Sequence, residues 1–556
     1  MARGRANRVV GVDLGVFGDV GVDDDALGAG EPRDDEPAGG GTARARFGRV
    51  RAGIAAGLVV FLAASTWGAT TETEARQHRA TLLSAPGGVL SLARPVSAAW
   101  TAPVDAWHFP AFMPGLVVVQ RGGVLHGLDV GTGTERWQAQ VDETASCGPV
   151  LPGTQSPPVV DPLVCVATQP DGRRIVTVIQ TNGASVTRVL DQDVTAAAPT
   201  AAGDLVTVRR TGPTPPPPDA HVVGGVTGDG TTGSGGFLHV EGSVTAGQDA
   251  VVRLEDAATG APRWERTLTF TPVANASGCG TIVMDSNNQA TFDATSLGIS
   301  TPASLVVVLG CGIQETFTAT GDPVDPASPK AAVSVWQPYA DGGVLRYDTD
   351  TAVGSQTQML IQPDGTTTRF PERVLSPLAT DGTHPDVVLI AASDSTFRAR
   401  DRAGSPLWTS TLPVTGVLAR TSRVAIVVIG FGVAGIDLAT GKTLWMDPTS
   451  FLESTSTTRD RTPTATDLGD SSGLSATAAF TDGDSVTVSM DYSDGATHGF
   501  VTLDAATGDV RWRVLTPSSA NDWTHYDVVE GHVISFAVYS TSPGGNPTSA
   551  TVTAWH

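Results

Sequence analysis

The sequence predicts an all-β fold, a ring of seven or eight four-stranded sheets with eight the favoured count, preceded by one transmembrane helix. Three observations point there. The 556 residues include 64 Gly and 37 Pro but only 17% charged residues, a mixture that suits many short strands joined by tight turns. A phrase of about ten residues recurs five times along the chain. One stretch near the N-terminus is apolar and carries no charge.

In chain order, residues 1–43 are rich in Gly, Asp, Glu and Pro. They cannot bury enough apolar surface to fold, so a disordered cytoplasmic tail is expected. A basic juxtamembrane run follows at 44–51, with Arg44, Arg46, Arg49 and Arg51. The charge-free segment 52–71, AGIAAGLVVFLAASTWGATT, is long enough to span a bilayer, which takes roughly 17–25 apolar residues. The denser positive flank precedes it, which keeps the N-terminus in the cytoplasm. A cleaved signal peptide is the competing reading, but such peptides lie within the first 15–30 residues or so. The expectation is a signal anchor in a bacterial plasma membrane, single-pass, with residues 95–556 outside the cytoplasm. Residues 72–94 read as a stalk, helical for a few turns and stopped at Pro86, Gly87 and Gly88.

The phrase reads LDVGTGTERW at 128–137, LEDAATGAPRW at 254–264, RDRAGSPLW at 400–408, IDLATGKTLW at 436–445 and LDAATGDVRW at 503–512. Three positions recur: an Asp (Asp129, Asp256, Asp401, Asp437, Asp504), a Gly (Gly133, Gly260, Gly404, Gly441, Gly508) and a Trp (Trp137, Trp264, Trp408, Trp445, Trp512). Apolar or alternating runs flank each copy, so each is a strand, a turn and a strand. Asp accepts backbone N–H bonds at the turn, and Gly tolerates positive φ. A large ring at one fixed place in every unit is expected to pack between neighbouring units. A lone hairpin is unstable in water, so repetition implies stacked four-stranded units, a β-propeller. Weaker units are VIQTNGASVTRVL at 178–190, TFTATGDPVD at 316–325 and LIQPDGTTTRF at 360–370. SAAWTAPV at 97–104 reads as an outer strand lacking its partner, and SATVTAWH at 549–556 as the strand that precedes it. Pairing the two would close the ring. Insertions are expected near 211–236 and 454–473.

The phrase resembles the repeat of pyrroloquinoline-quinone-like β-propellers, roughly A-L-D-x-x-T-G-x-x-x-W. That superfamily includes quinoprotein alcohol dehydrogenases and the outer-membrane assembly lipoprotein BamB. The resemblance implies the scaffold and leaves function open. A residue that recurs in every unit serves the unit, so no catalytic, cofactor-binding or metal-binding residue is assigned. A quinone dehydrogenase of this type would need pyrroloquinoline quinone with Ca²⁺, and resembles enzymes that carry an adjacent Cys-Cys pair. The four cysteines, Cys147, Cys165, Cys279 and Cys311, include no adjacent pair. They allow three disulfide connectivities, of which Cys147–Cys165 with Cys279–Cys311 closes the shortest loops.

The carboxylates at 347–351 and 489–495 miss the spacing of a calcium loop and read as surface turns. His525 reads as a packed loop residue, and GFGVAG at 430–435 as a strand connection. A formal net charge of -22 argues against a nucleic-acid partner. The leading expectation is a non-catalytic binding or assembly scaffold of the cell envelope, with envelope proteins or other extracytoplasmic ligands as partners. The alternatives are the quinone-dependent dehydrogenase and an extracytoplasmic sensor.

Overall fold

Runs such as LVVVQR (Leu116–Arg121) and VAIVVI (Val424–Ile429) are dense in β-branched residues and buried along most of their length. A strand buries both faces only when other layers pack on either side of its sheet. The computed structural model describes residues 76–556 except 107, 152–156, 224–238, 277–280, 285–289, 325–333, 341, 351–354, 431, 448–474, 492–496, 518–522 and 541–546. Its strands assemble into nine antiparallel blades and two separate hairpins.

Blade 1 covers 111–140, blade 2 146–189, blade 3 194–268, blade 4 297–324, blade 5 334–370, blade 6 373–410, blade 7 414–447 and blade 8 475–517. Blade 9 joins three strands from 523–555 to Ala98–Val104. The two chain-end stretches do pair: Ala102 lies opposite Val552, and Ser97 and His556 exchange backbone hydrogen bonds of 2.9 and 3.0 Å. Blade 4 has three full strands, its fourth reduced to a short piece in which Val324 N–H donates to Thr316 O at 2.8 Å. Nine blades correct the expected eight. Each weaker unit forms a blade of its own, and the blade shared between the chain ends adds one more.

The ring closes through its hydrophobic core, which is divided into nine clusters, one for each pair of successive blades. Blades 7 and 8, for example, share Ile426 and Val433 with Val486, Val501 and Leu503. The closing cluster sets Phe112, Val117 and Leu128 of blade 1 against Ile534, Phe536 and Val552 of blade 9. Because each blade is a meander, the turns joining first to second and third to fourth strands share one face, here the turn face. The turns joining second to third strands, and the links between blades, share the opposite, connection face.

Residues 1–75, with the expected tail, basic run and membrane span, lie outside the described residues. No helix among the described residues is long and apolar enough to cross a membrane. The segment expected as a stalk is packed on the ring from residue 76 onward. A helix covers 76–84. Beyond it, Pro86 O accepts from Thr380 N–H and Gly87 O from Thr481 N–H, each at 2.8 Å. Leu82, Ala85, Val89 and Leu92 are buried.

The first expected insertion lies partly among the described residues. Asp219–Val223 pairs with His239–Ser243, and a second hairpin pairs Thr281–Met284 with Ala290–Asp293. The other, 454–473, lies outside the described residues.

Candidate functional site

The recurring residues meet at the seams between blades. In each full phrase the Asp carboxylate caps its own turn: Thr132, Thr259 and Thr440 donate both N–H and Oγ1–H to Asp129, Asp256 and Asp437, at 2.6–3.0 Å. Asp504 accepts the N–H groups of Ala506 and Thr507, and Asp401 that of Ser405. These bonds favour the ionised form. Asp129, which also accepts from Arg136 at 2.7 Å, is lowered to about 2, mainly by that guanidinium and then by Thr132. Asp256 and Asp437 are held low chiefly by their threonines, and Asp504 by Arg511.

The Trp of one blade packs on the turn Gly of the next. Trp408 lies over Gly441 and Trp445 over Gly508, and Trp100, in the closing strand, over Gly133. A Cβ at Gly508 would sit 2.5 Å from the Trp445 ring, and the residue has φ +78°. Glycine is therefore required twice over, by the turn and by the neighbouring indole. The indole N–H then donates to the carbonyl one residue past the turn Asp: Trp100 to Val130 O at 2.9 Å, Trp408 to Leu438 O at 2.7 Å, and Trp445 to Ala505 O at 3.0 Å. Trp264 uses Ala319 O in the same way, at 3.0 Å, and packs on Gly321. Trp512 meets no such turn, because the chain ends fall there in blade 9, and donates instead to Leu92 O at 2.8 Å. Trp137 packs on Gly183, but its N–H has no hydrogen-bond partner among the described residues.

At three seams no Trp covers the turn glycine, and the residues that take its place were not singled out in the sequence. Arg188 of blade 2 lies beside Gly260, donates from Nε to Ala257 O at 2.7 Å and pairs with Glu255. Thr368 of blade 5 donates to Arg402 O at 2.6 Å. Val324 of blade 4 lies beside Gly365. A signal existed, since each follows a turn Gly of its own blade by three to five residues (Gly183, Gly365, Gly321). Cys147 and Cys165 form a disulfide between adjacent strands of blade 2. Cys311 is also disulfide-bonded, and Cys279 lies outside the described residues.

With the recurring residues committed to the seams, the chemistry left for recognition lies on the connection face. The two separate hairpins belong to the second-to-third turn of blade 3 and to the link from blade 3 to blade 4. They share a small core of Val240, Val244, Ala276 and Cys311. Beside them is a cavity of about 600 Å³ walled by Arg174, Thr195, Arg210, Gln248 and Thr295. A second, of about 310 Å³, is walled by Tyr347, Arg373, Thr415 and Gly416.

His525 sits on strand Trp523–Val529, correcting the loop expectation, 3.2 Å from the buried Asp527 and edge-on to Phe109. The described parts of the two carboxylate stretches are strand as well, ending Val344–Asp350 and Ser485–Asp491. Gly432–Asp437 is a strand, so the glycine run opens no helix. Among the described residues no three His, Cys, Asp or Glu side chains converge on a metal position.

No family model and no curated protein matches the sequence. Among solved structures the chain is similar to BamB from Moraxella catarrhalis, at 12% identity and a TM-score of 0.34, over 83% of this chain and 100% of that one. It is similar to a quinohemoprotein alcohol dehydrogenase from Pseudomonas putida HK5, at 12% identity and 0.32, over 83% and 76%. A eukaryotic initiation factor is matched at 12% and 0.38, over 78% and 90%. Likeness this remote concerns fold alone. By its own repeat and its own sheets, residues 98–555 form a nine-bladed β-propeller.

Proposed function

We propose that this protein is a non-catalytic binding or assembly scaffold of the bacterial cell envelope, anchored by residues 52–71 with the propeller outside the cytoplasm. The observation that carries the reading is the division of labour between the two faces. The Asp, Gly and Trp of the repeats are consumed in closing the ring, while the connection face bears the two added hairpins and the largest described cavity. A rigid scaffold with grafted loops is the usual build of a binding module. The Cys147–Cys165 disulfide supports an oxidising compartment. The charge-free 52–71 and the arginines before it support the anchor.

The test is site-specific photocrosslinking in intact cells. A crosslinker at His239 or Glu241, both exposed on the first hairpin, should trap a defined envelope protein. One at Thr134, on the turn face, should not. Equal, diffuse labelling from both faces would refute the scaffold. Dye reduction by the purified chain with pyrroloquinoline quinone and Ca²⁺ would favour the dehydrogenase instead. Failure to extract the chain with alkaline carbonate is expected if 52–71 spans the bilayer.

A further inference from the structure

We propose that the cavity beside the blade 3 hairpins is an oxyanion site, in which Arg174 and Arg210 bind the carboxylate or phosphate group of a small ligand. Both guanidinia line this cavity. Neither has a carboxylate within 4.0 Å among the described residues. Arg174 donates to Val194 O and Thr195 O, and Arg210 to Gln248 O at 2.9 Å and Thr295 O at 3.0 Å. Neutral carbonyls fix the plane of a guanidinium without cancelling its charge.

Many arginines of this acidic chain sit against acids: Arg136 pairs with Asp129, Arg263 with Asp204, Arg398 with Glu372 and Arg511 with Asp504. Arg174 and Arg210 are held by carbonyls instead, as Arg121 and Arg266 are, and these two share one cavity wall in a chain of net charge -22. The carboxylate on that wall, Asp293, caps a turn, accepting Thr295 N–H at 2.8 Å and Thr295 Oγ1–H at 2.7 Å, and its charge offsets part of that of Arg210, leaving Arg174 as the uncompensated guanidinium of the wall.

The rest of the wall suits a polar ligand. Gln248 donates one amide N–H to Gly212 O at 2.9 Å and keeps the other as a further donor, and Ala196, Ala197 and Ala198 line the rest of the wall with small side chains. Arg210 Nε is buried and makes no hydrogen bond. Half-burial of both guanidinia lowers their pKa without bringing either near neutrality. A positive site of low dielectric draws and orients an anion. Thr295 and Asp293 come from the link that carries the second hairpin, so the added element builds part of the wall.

The proposal deepens the scaffold reading by naming a ligand chemistry. It is tested without any protein partner, so the two fail separately. Calorimetric titration of the full chain at low ionic strength should show saturable 1:1 binding of citrate, of inorganic phosphate, or of both. The tighter of the two identifies the group recognised. Arg210→Gln and Arg174→Gln should each weaken binding tenfold or more. Arg373→Gln, in the separate second cavity, should leave it unchanged. Since Arg210 ties two backbone segments together, Thr195→Glu provides a variant that keeps both arginines and fills the site with a carboxylate. It should abolish binding with thermal unfolding unchanged. No saturable heat with either anion up to about 10 mM, or binding that persists in both Arg210→Gln and Thr195→Glu, would overturn the assignment.

Discussion

The seam between blades 7 and 8 and the seam between blades 2 and 3 do the same job with different side chains. At the first, Trp445 covers Gly508 and its indole N–H meets Ala505 O. At the second, Arg188 lies at Gly260, and its Nε–H meets Ala257 O. Both acceptors stand one residue past the turn Asp. At these two seams the position holds a flat group with an N–H on its edge, and a planar guanidinium serves there as an indole does. The difference is in cost. Trp445 needs nothing further, whereas the charge of Arg188 is offset by Glu255, whose side chain is only 7% exposed.

Four substitutions or conditions would break or sharpen that comparison. Gly508→Val combines a left-handed backbone with a clash against Trp445 and should destabilise the ring by about 4 kcal/mol, seen as a lowered midpoint in chemical unfolding. Trp445→Ala should cost about 3 kcal/mol. The two should not add, because removing the indole relieves the clash, so a double-mutant cycle measures the seam directly. Arg188→Ala should cost about 2 kcal/mol, since it leaves Glu255 without its closest partner. Arg188→Met, which keeps length but not the donors, should recover little of it.

The smallest effect is electrostatic. The folded pKa of Asp129, about 2, lies below the ordinary aspartate value of 3.8. Its stabilisation is complete above about pH 4 and is lost as pH falls through 2, worth about 1 kcal/mol after solvent screening. Asp256, Asp437 and Asp504 shift the same way. Acid unfolding should therefore steepen below pH 4, and Asp129→Asn should flatten that slope.

The fold was legible where a side chain repeats. The Asp and Gly positions announce a turn, the Trp a packed interface, and the lone strands at 97–104 and 549–556 a ring sewn shut by its own ends. Blade number was harder to read. Arg188, Val324 and Thr368 fill the Trp position with unlike chemistry, and the spacing that marks them is visible only once the next blade's glycine is known to need a cover. Hidden altogether was the second reason for glycine, which is set by a residue of another blade, 63 positions away in the case of Gly508 and Trp445. The arginine-walled cavity was unreadable for a related reason. Arg174 and Arg210 belong to different blades, and only the connection face brings them to one wall. Sequence locality favours recognition of turns, and sites assembled from links between blades escape it.

The split ninth blade also sets a schedule for the nascent chain. Strand Ala98–Val104 is made long before its partner, Pro547–Trp555. Until that partner emerges, Ala98–Val104 waits with an unsatisfied edge, and the eight blades made between them stand as an open arc. Closure of the circle is therefore the last step that any order of blade folding allows.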